Sequence, residues 1–93
     1  MEQLAIYLID DDHQVRQSFT QMLDLDGYTV TSFSSAEEFL NAQAIVLDSH
    51  AVVISDIKMP GMSGLELMDD ILLIDADIPV VLITGHADIA MAI

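Results

Sequence analysis

The stretch Leu4–Asp12, LAIYLIDDD, is the strongest indication of the fold. A near-continuous apolar run that stops at three aspartates is typical of a strand buried on both faces of a parallel sheet. Two similar runs follow, Ala51–Ser55 (AVVIS) and Pro79–Thr84 (PVVLIT). The alternating, β-branched Tyr28–Phe33 (YTVTSF) predicts a more exposed strand at the edge of the sheet.

Helical patterns lie between these strands. Two sets of apolar residues recur at the spacing of one helix face: Val15, Phe19, Met22 and Leu23, and then Leu65, Met68, Ile71 and Leu72. Ser35 and Glu38 match a capping box at the start of a short helix that runs through about Gln43. Residues 44–47 fit a helix end or a loop equally well, and residues 85–93 favour the start of a further helix.

Turn and cap residues mark several of the boundaries. Gly27 fits the left-handed residue that ends a helix, and Asp12 fits the N-cap of the helix that follows it. Pro60 and Gly61 are turn residues, with Gly61 at a position that needs a positive φ. The resulting β-α-β-α-β-α-β order predicts an α/β fold, with a parallel sheet and helices on both of its faces.

Composition limits the possible functions. The 93 residues make at most one domain, and a formal net charge of −14 argues against binding of nucleic acid or an anionic membrane by this segment itself. The absence of cysteine excludes disulfides, thiolate catalysis and cysteine-based zinc sites. No basic signal-peptide region and no membrane-length apolar run is present, so the expected location is the cytoplasm.

Polar residues follow three of the predicted strands. These are Asp10–Asp12, Asp56 and Thr84, and ligands of open parallel sheets bind where the strands end. Clustered carboxylates repel one another, and a hard cation such as Mg²⁺, which prefers oxygen ligands, relieves that repulsion. Alternatively, Asp10–Asp12 is a solvated loop that only caps a helix.

Four segments carry a family resemblance: LIDDD (8–12), QVRQSFTQMLDLDGY (14–28), SDIKMPGMSGLEL (55–67) and VLITGHADIAMAI (81–93). Through them the whole chain resembles the receiver domain of two-component response regulators, in particular those of transcription activators. The resemblance implies a flavodoxin-like fold, with residues 1–93 as a partial receiver domain.

The resemblance also implies a role for each matching residue. Asp56 resembles the phosphoacceptor, which takes a phosphoryl group from a sensor histidine kinase. Asp11 resembles the direct Mg²⁺ ligand, Asp10 the acid that holds the metal through water, and the Lys58 backbone carbonyl the third protein ligand. Thr84 resembles the switch hydroxyl that bonds the phosphoryl group. The output would be transcriptional, with DNA contacted only through a domain absent from this chain.

Receivers usually contain a fifth strand, a final helix and a phosphoryl-binding lysine, none of which has a counterpart in this sequence. We therefore expect a C-terminally incomplete fold in which strand 79–84 is an exposed edge. The chain is then a fragment, part of a longer protein, or a natural truncation that covers this edge by forming a homodimer. A pseudo-receiver that only binds partners is the alternative function. A Mg²⁺-dependent phosphatase is disfavoured, because Lys58 stands where such enzymes need an acid.

Overall fold

A computed structural model of the chain describes residues 4–42, 50–75, 77–83 and the strand at 89–92. The elements in chain order are β1 (Ala5–Ile9), α1 (His13–Leu25), β2 (Thr29–Phe33), α2 (Ala36–Ala42), β3 (Ala51–Asp56), α3 (Gly64–Ile74), β4 (Val80–Ile83) and β5 (Ile89–Ala92). They form one sheet with the order β2-β1-β3-β4-β5. The predicted parallel α/β architecture is confirmed.

Strand β1 lies inside the sheet, as its apolar sequence predicts. It pairs in parallel with β2 on one side and with β3 on the other, so that Ala5 stands opposite both Thr29 and Ala51. Strand β2 forms the edge, which confirms the interpretation of its alternating sequence. The strand order reverses between β1 and β3, and this reversal is the point at which sheets of this kind bind ligands.

The end of the chain differs from the prediction. Residues 89–92 form β5 and pair antiparallel with β4, with Val80 opposite Ala92 and Ile83 opposite Ile89. The helix predicted to start within 85–93 is therefore wrong at 89–92, because pairing with the free N–H and C=O groups of β4 outweighs the helix propensity of alanine and methionine. Residues 85–88 and 93 lie outside the described residues. The expected open edge at β4 is wrong for the same reason. An exposed β4 edge therefore no longer gives a reason to expect a homodimer, and homodimer formation stays a prediction.

The helices α2 and α3 cover one face of the sheet, which we call the α2–α3 face. Its core joins residues from β1, β2, β3, β4 and both helices: Tyr7, Ile9, Phe33, Ala36, Phe39, Ala51, Val53, Leu67, Ile71, Ile78, Val80 and Leu82. Three aromatic rings pack together within it, with centroids 5.3 Å apart between Phe33 and Phe39 and 5.7 Å apart between Tyr7 and Phe39. This face holds the strands in place.

The opposite face carries α1 and is called the α1 face. Ile6 and Leu8 of β1 are buried there, but α1 itself contributes no buried residue. The predicted α1 stripe is only partly covered, since Val15 and Met22 are 36% and 51% exposed. The predicted α3 stripe is also only partly correct: Ile71 is buried, Leu65 and Leu72 are exposed, and the buried Leu67 was missed.

The predicted caps and turns largely agree with the structure. Asp12 caps α1, and Gly27 and Gly61 have φ values of 92° and 78°. The Ser35 hydroxyl accepts a hydrogen bond from the Glu38 N–H at 3.0 Å, which is the N-cap half of the predicted box.

A complete capping box lies instead at α3. There the Ser63 hydroxyl accepts from the Glu66 N–H at 3.2 Å, and the Glu66 carboxylate accepts from the Ser63 N–H at 3.1 Å. The Ser-x-x-Glu spacing at 63–66 is the sequence signal that identifies this box.

Candidate functional site

Three carboxylates meet where β1 and β3 end. Asp10 and Asp11 follow β1, and Asp56 is the last residue of β3. The two strands are parallel neighbours, with Ile9 opposite Ser55, so their carboxyl ends lie side by side. One carboxylate oxygen from each of the three aspartates lies within 4.8 Å of the other two. The cluster stands at the reversal of strand order, as the sequence predicts.

The loop from β1 to α1 is fixed by its own hydrogen bonds. The Asp12 N–H donates to Asp10 Oδ1 at 2.9 Å, and Asp12 Oδ1 accepts from the Gln14 N–H at 2.9 Å. From the first turn of α1, the Arg16 guanidinium donates to the Asp10 backbone carbonyl at 2.6 Å. These contacts anchor the backbone that carries Asp10 and Asp11.

The loop 57–63, between β3 and α3, is anchored at its base. The Ile57 N–H donates to the Ile83 carbonyl at 2.9 Å and so continues the sheet pairing, while the Ile57 carbonyl accepts from the Gly64 N–H, also at 2.9 Å. A Cβ on Gly64 would collide with the Asp56 backbone carbonyl. Only glycine therefore lets the start of α3 approach the end of β3 this closely.

Burial and mutual repulsion perturb two of the three carboxyl groups. Asp10 is 4% exposed, and its burial, followed by the charges of Asp56, Asp11 and Asp12, raises its pKa against the opposing hydrogen bond from the Asp12 N–H. Burial also raises the pKa of Asp56, as do Asp11 and Asp12, while the N–H groups of Lys58 and Ile57 oppose the rise. The site therefore holds negative charge that its own hydrogen bonds do not fully offset.

The donor set fits a hard divalent cation. All three groups offer carboxylate oxygens, which are the ligands that Mg²⁺ prefers. Oxygens within 4.8 Å of one another are close enough for one cation, which keeps several of its waters, to be held among them. Burial is the main cause of the two raised pKa values, and a cation would offset the carboxylate repulsion that adds to it.

The predicted site residues have different outcomes. The structure brings Asp10, Asp11 and Asp56 together. Lys58 lies two residues beyond Asp56 with its side chain exposed, and the role of its carbonyl stays a prediction. Thr84 lies outside the described residues, so its role as the switch hydroxyl stays a prediction too.

Two residues near the site were missed by the sequence analysis. Arg16, the only arginine in the sequence, donates to the Asp10 carbonyl and also lies 3.2 Å from Nδ1 of the exposed His13. Its position one turn after the three aspartates is a signal that could have found it. Glu37 contacts the loop 57–63 from α2, and no local sequence pattern indicates that contact.

Comparison with known proteins identifies the family. The sequence model described as "Response regulator receiver domain" matches residues 6–93. The chain belongs to this receiver family. The C4-dicarboxylate transport transcriptional regulatory protein DctD of Rhizobium meliloti is 49% identical to this receiver over 89 residues, which are 96% of the chain and 19% of DctD. The chain thus spans about a fifth of that relative's length.

Solved receiver structures share the fold. The crystal structure of FixJ-N superimposes with a TM-score of 0.81 at 38% identity, covering 95% of this chain and 69% of FixJ-N. The response regulator TrrA of Thermotoga maritima, in complex with Mg²⁺ and BeF, gives a TM-score of 0.78 at 30% identity, covering 89% and 72% of the two chains. Within the described part of this receiver, no helix has the length and apolar character needed to cross a membrane.

Proposed function

We propose that this chain is a phosphoacceptor receiver that relays a signal from a sensor histidine kinase to a transcriptional output. The observation that carries the proposal is the meeting of Asp10, Asp11 and Asp56 within 4.8 Å at the reversal of strand order. The family and its transcriptional relatives support the same assignment. We place this function in the cytoplasm.

Asp56 would act as the nucleophile. Its carboxylate oxygen attacks the phosphorus of a kinase phosphohistidine, the P–N bond breaks, and the imidazole nitrogen leaves with the electron pair. The product is an aspartyl phosphate at Asp56. Thr84 would hydrogen-bond a phosphoryl oxygen afterwards, since it follows Ile83, the residue that stands opposite Asp56 in the sheet.

Asp10, Asp11, Asp56 and the Lys58 carbonyl would hold Mg²⁺. When bound, the cation supplies positive charge that lets an anionic carboxylate approach an anionic phosphoryl group. The oxygen donors and the raised pKa values of Asp10 and Asp56 support this assignment. The TrrA structure was obtained with Mg²⁺ and BeF, which supports the same cation here.

DNA would be contacted only through an output domain outside this chain. The net charge of −14 supports this, because a chain so acidic repels the phosphate backbone. The same charge favours a kinase that presents a basic docking surface.

Intact mass spectrometry with acetyl phosphate and Mg²⁺ tests the proposal. We expect the chain to gain one phosphoryl group, the label to disappear with hydroxylamine, and Asp56→Asn to gain none. Asp12→Asn is the matched control, because it removes a charge from the same site while keeping a side-chain oxygen to cap α1. A phosphoryl group on the Asp56→Asn variant would show that another residue is the acceptor. An unlabelled wild-type chain that still binds Mg²⁺ would favour the pseudo-receiver.

A further inference from the structure

A contact from α2 reaches the loop that follows the proposed phosphoacceptor. Glu37 lies in the first turn of α2, and its Oε2 accepts a hydrogen bond from the Met62 N–H at 3.1 Å. The two residues are 25 positions apart in the sequence, so the contact is tertiary and belongs to no local turn or cap. A charged acceptor makes a stronger hydrogen bond than a neutral one.

The exposed Glu37 carboxylate lies against Gly61, the residue before Met62. A Cβ built on Gly61 would lie 2.5 Å from Glu37 Oε2, closer than side-chain carbons approach other atoms. Gly61 also has a φ of 78°, which glycine adopts without strain. Gly61, next to Met62, thus leaves room for the Glu37 carboxylate that Met62 binds.

The base and the tip of the loop 57–63 are held by different groups. The base is closed by the bond from the Gly64 N–H to the Ile57 carbonyl and by the Ser63–Glu66 capping box. Glu37 binds near the tip, at Met62, just beyond the Pro60–Gly61 turn. Lys58, whose carbonyl is the proposed third metal ligand, lies between these two attachments.

We propose that Glu37 is a positioning residue for the metal site. By holding the tip of the loop, it restricts the movement of the Lys58 carbonyl relative to Asp56. This inference rests on the proposed function, because it assumes a cation bound by Asp10, Asp11, Asp56 and that carbonyl. Groups that orient metal ligands from outside the coordination sphere change metal affinity by about 10–100-fold.

Calorimetric titration of the chain with MgCl₂, well below its melting temperature, provides the first test. We expect Glu37→Ala to weaken Mg²⁺ binding by about tenfold, the lower end of the range for such outer groups. Glu37→Gln keeps an acceptor for the Met62 N–H and should restore most of the affinity. Glu38→Ala is the matched control: it removes the same charge from the same helical turn, but Glu38 accepts from the Ser34 hydroxyl and not from the loop.

A melt of each variant without metal separates positioning from folding. Glu37→Ala and Glu38→Ala should melt at similar temperatures, so that only the affinity for Mg²⁺ distinguishes them. If Glu37→Ala and Glu38→Ala lost the same Mg²⁺ affinity, the loss would come from the removed negative charge and not from the contact with the loop. That result would overturn the inference. Unchanged affinity in Glu37→Ala would overturn it as well.

A second experiment links Glu37 to Gly61. The methyl group in Gly61→Ala meets the Glu37 carboxylate, so Gly61→Ala should lower Mg²⁺ affinity less in the Glu37→Ala background than in the wild type. Additive losses would contradict the proposed contact.

The outcomes also separate the positioning role of Glu37 from the proposed phosphoacceptor function. Wild-type binding of Mg²⁺ and labelling of Asp56, with no effect of Glu37→Ala, would defeat the positioning role alone. A wild-type chain that binds no Mg²⁺ would defeat both.

Discussion

The two faces of the sheet differ in how completely they are packed. On the α2–α3 face, Val53, Leu67 and Ile71 are fully buried, and the rings of Phe33 and Phe39 meet edge to face. On the α1 face, the side chains of β3 and β4 within the described residues are only half-buried: Val52, Ile54, Val81 and Ile83. Every second residue of a strand lies on the same face, so Asp56 shares the face of Val52 and Ile54 in β3.

The difference in packing corresponds to a difference in what each face does. The closed α2–α3 face fixes the backbone of the strands, while the charged group at the end of β3 stands on the looser face, where solvent and a cation can reach it. Clustered carboxylates destabilise a fold, and they are tolerated best where the packing of other residues does not depend on them. The predictions below test whether stability and chemistry are separated in this way.

The largest expected effect comes from the aromatic cluster. Phe39→Ala removes a ring that is 1% exposed and packs against Tyr7 and Phe33, and we expect a loss of about 3–5 kcal/mol in unfolding free energy. Phe19→Ala is the matched change on α1, where the side chain is only half-buried, and should cost no more than about half as much. Urea denaturation measures both, and equal losses would contradict the difference between the faces.

Metal binding should give the next largest effect. A cation that binds only the folded chain stabilises it by RT ln(1 + [L]/Kd), so Mg²⁺ at about 100 times its Kd should add roughly 2.7 kcal/mol. Thermal melts at constant ionic strength measure this shift. Asp11→Ala removes an exposed carboxylate of the cluster and should abolish it. A shift of the same size in that variant would show that Mg²⁺ acts elsewhere.

Two neighbours in β3 provide the most direct comparison of the faces. Val53 is fully buried on the α2–α3 face, and Val52 is half-buried on the α1 face. Val53→Ala should cost about 2 kcal/mol, from two lost carbon groups and the cavity they leave, and Val52→Ala less than about 1 kcal/mol. Both variants have the same strand and the same change, so their difference in unfolding free energy reports packing alone.

The smallest expected effect is the pH dependence of the metal-free chain. Folding raises the pKa of Asp10 and Asp56 above the ordinary value of 3.8, so the folded chain binds more protons than the unfolded chain in that window. The contribution of these groups to stability therefore falls as the pH rises from about 3.8 through the raised values. Asp56→Asn should flatten this dependence, and its gain at neutral pH should stay below about 1 kcal/mol, because solvent reaches the half-buried Asp56 and screens its charge.

Denaturation at a series of pH values without divalent cations measures this effect. Asp12→Asn is the control, since it keeps Asp56 ionisable. If the stability of Asp56→Asn fell more steeply with rising pH than that of the wild type, the predicted direction of the pH dependence would be wrong.

Local features of the fold could be predicted from the sequence. The apolar run of β1, the Asp12 cap and the positive φ of Gly27 and Gly61 each follow from the chemistry of a few adjacent residues. The meeting of Asp11 and Asp56 could also be predicted, because parallel strands bring their carboxyl ends to one edge. These inferences needed only neighbouring residues and one topological rule.

Long-range contacts could not be predicted in this way. The segment 89–92, IAMA, contains good helix formers, yet pairing with β4 makes it a strand. The exposure of Val15 and Met22 depends on what covers the α1 face rather than on their helical spacing. The bond from Met62 to Glu37 depends on how α2 lies beside the loop, and nothing in either local sequence indicates it.

The hydrogen bond between Gly64 and Ile57 makes one amide proton a reporter of loop opening. N–H groups in the first turn of a helix usually lack a partner within the helix and exchange rapidly with solvent. The Gly64 N–H is instead held by the Ile57 carbonyl at 2.9 Å, and this bond closes the loop that begins beside Asp56. Its hydrogen–deuterium exchange should therefore be slow for a helix start, and should slow further whenever occupancy of the acidic cluster holds that loop shut.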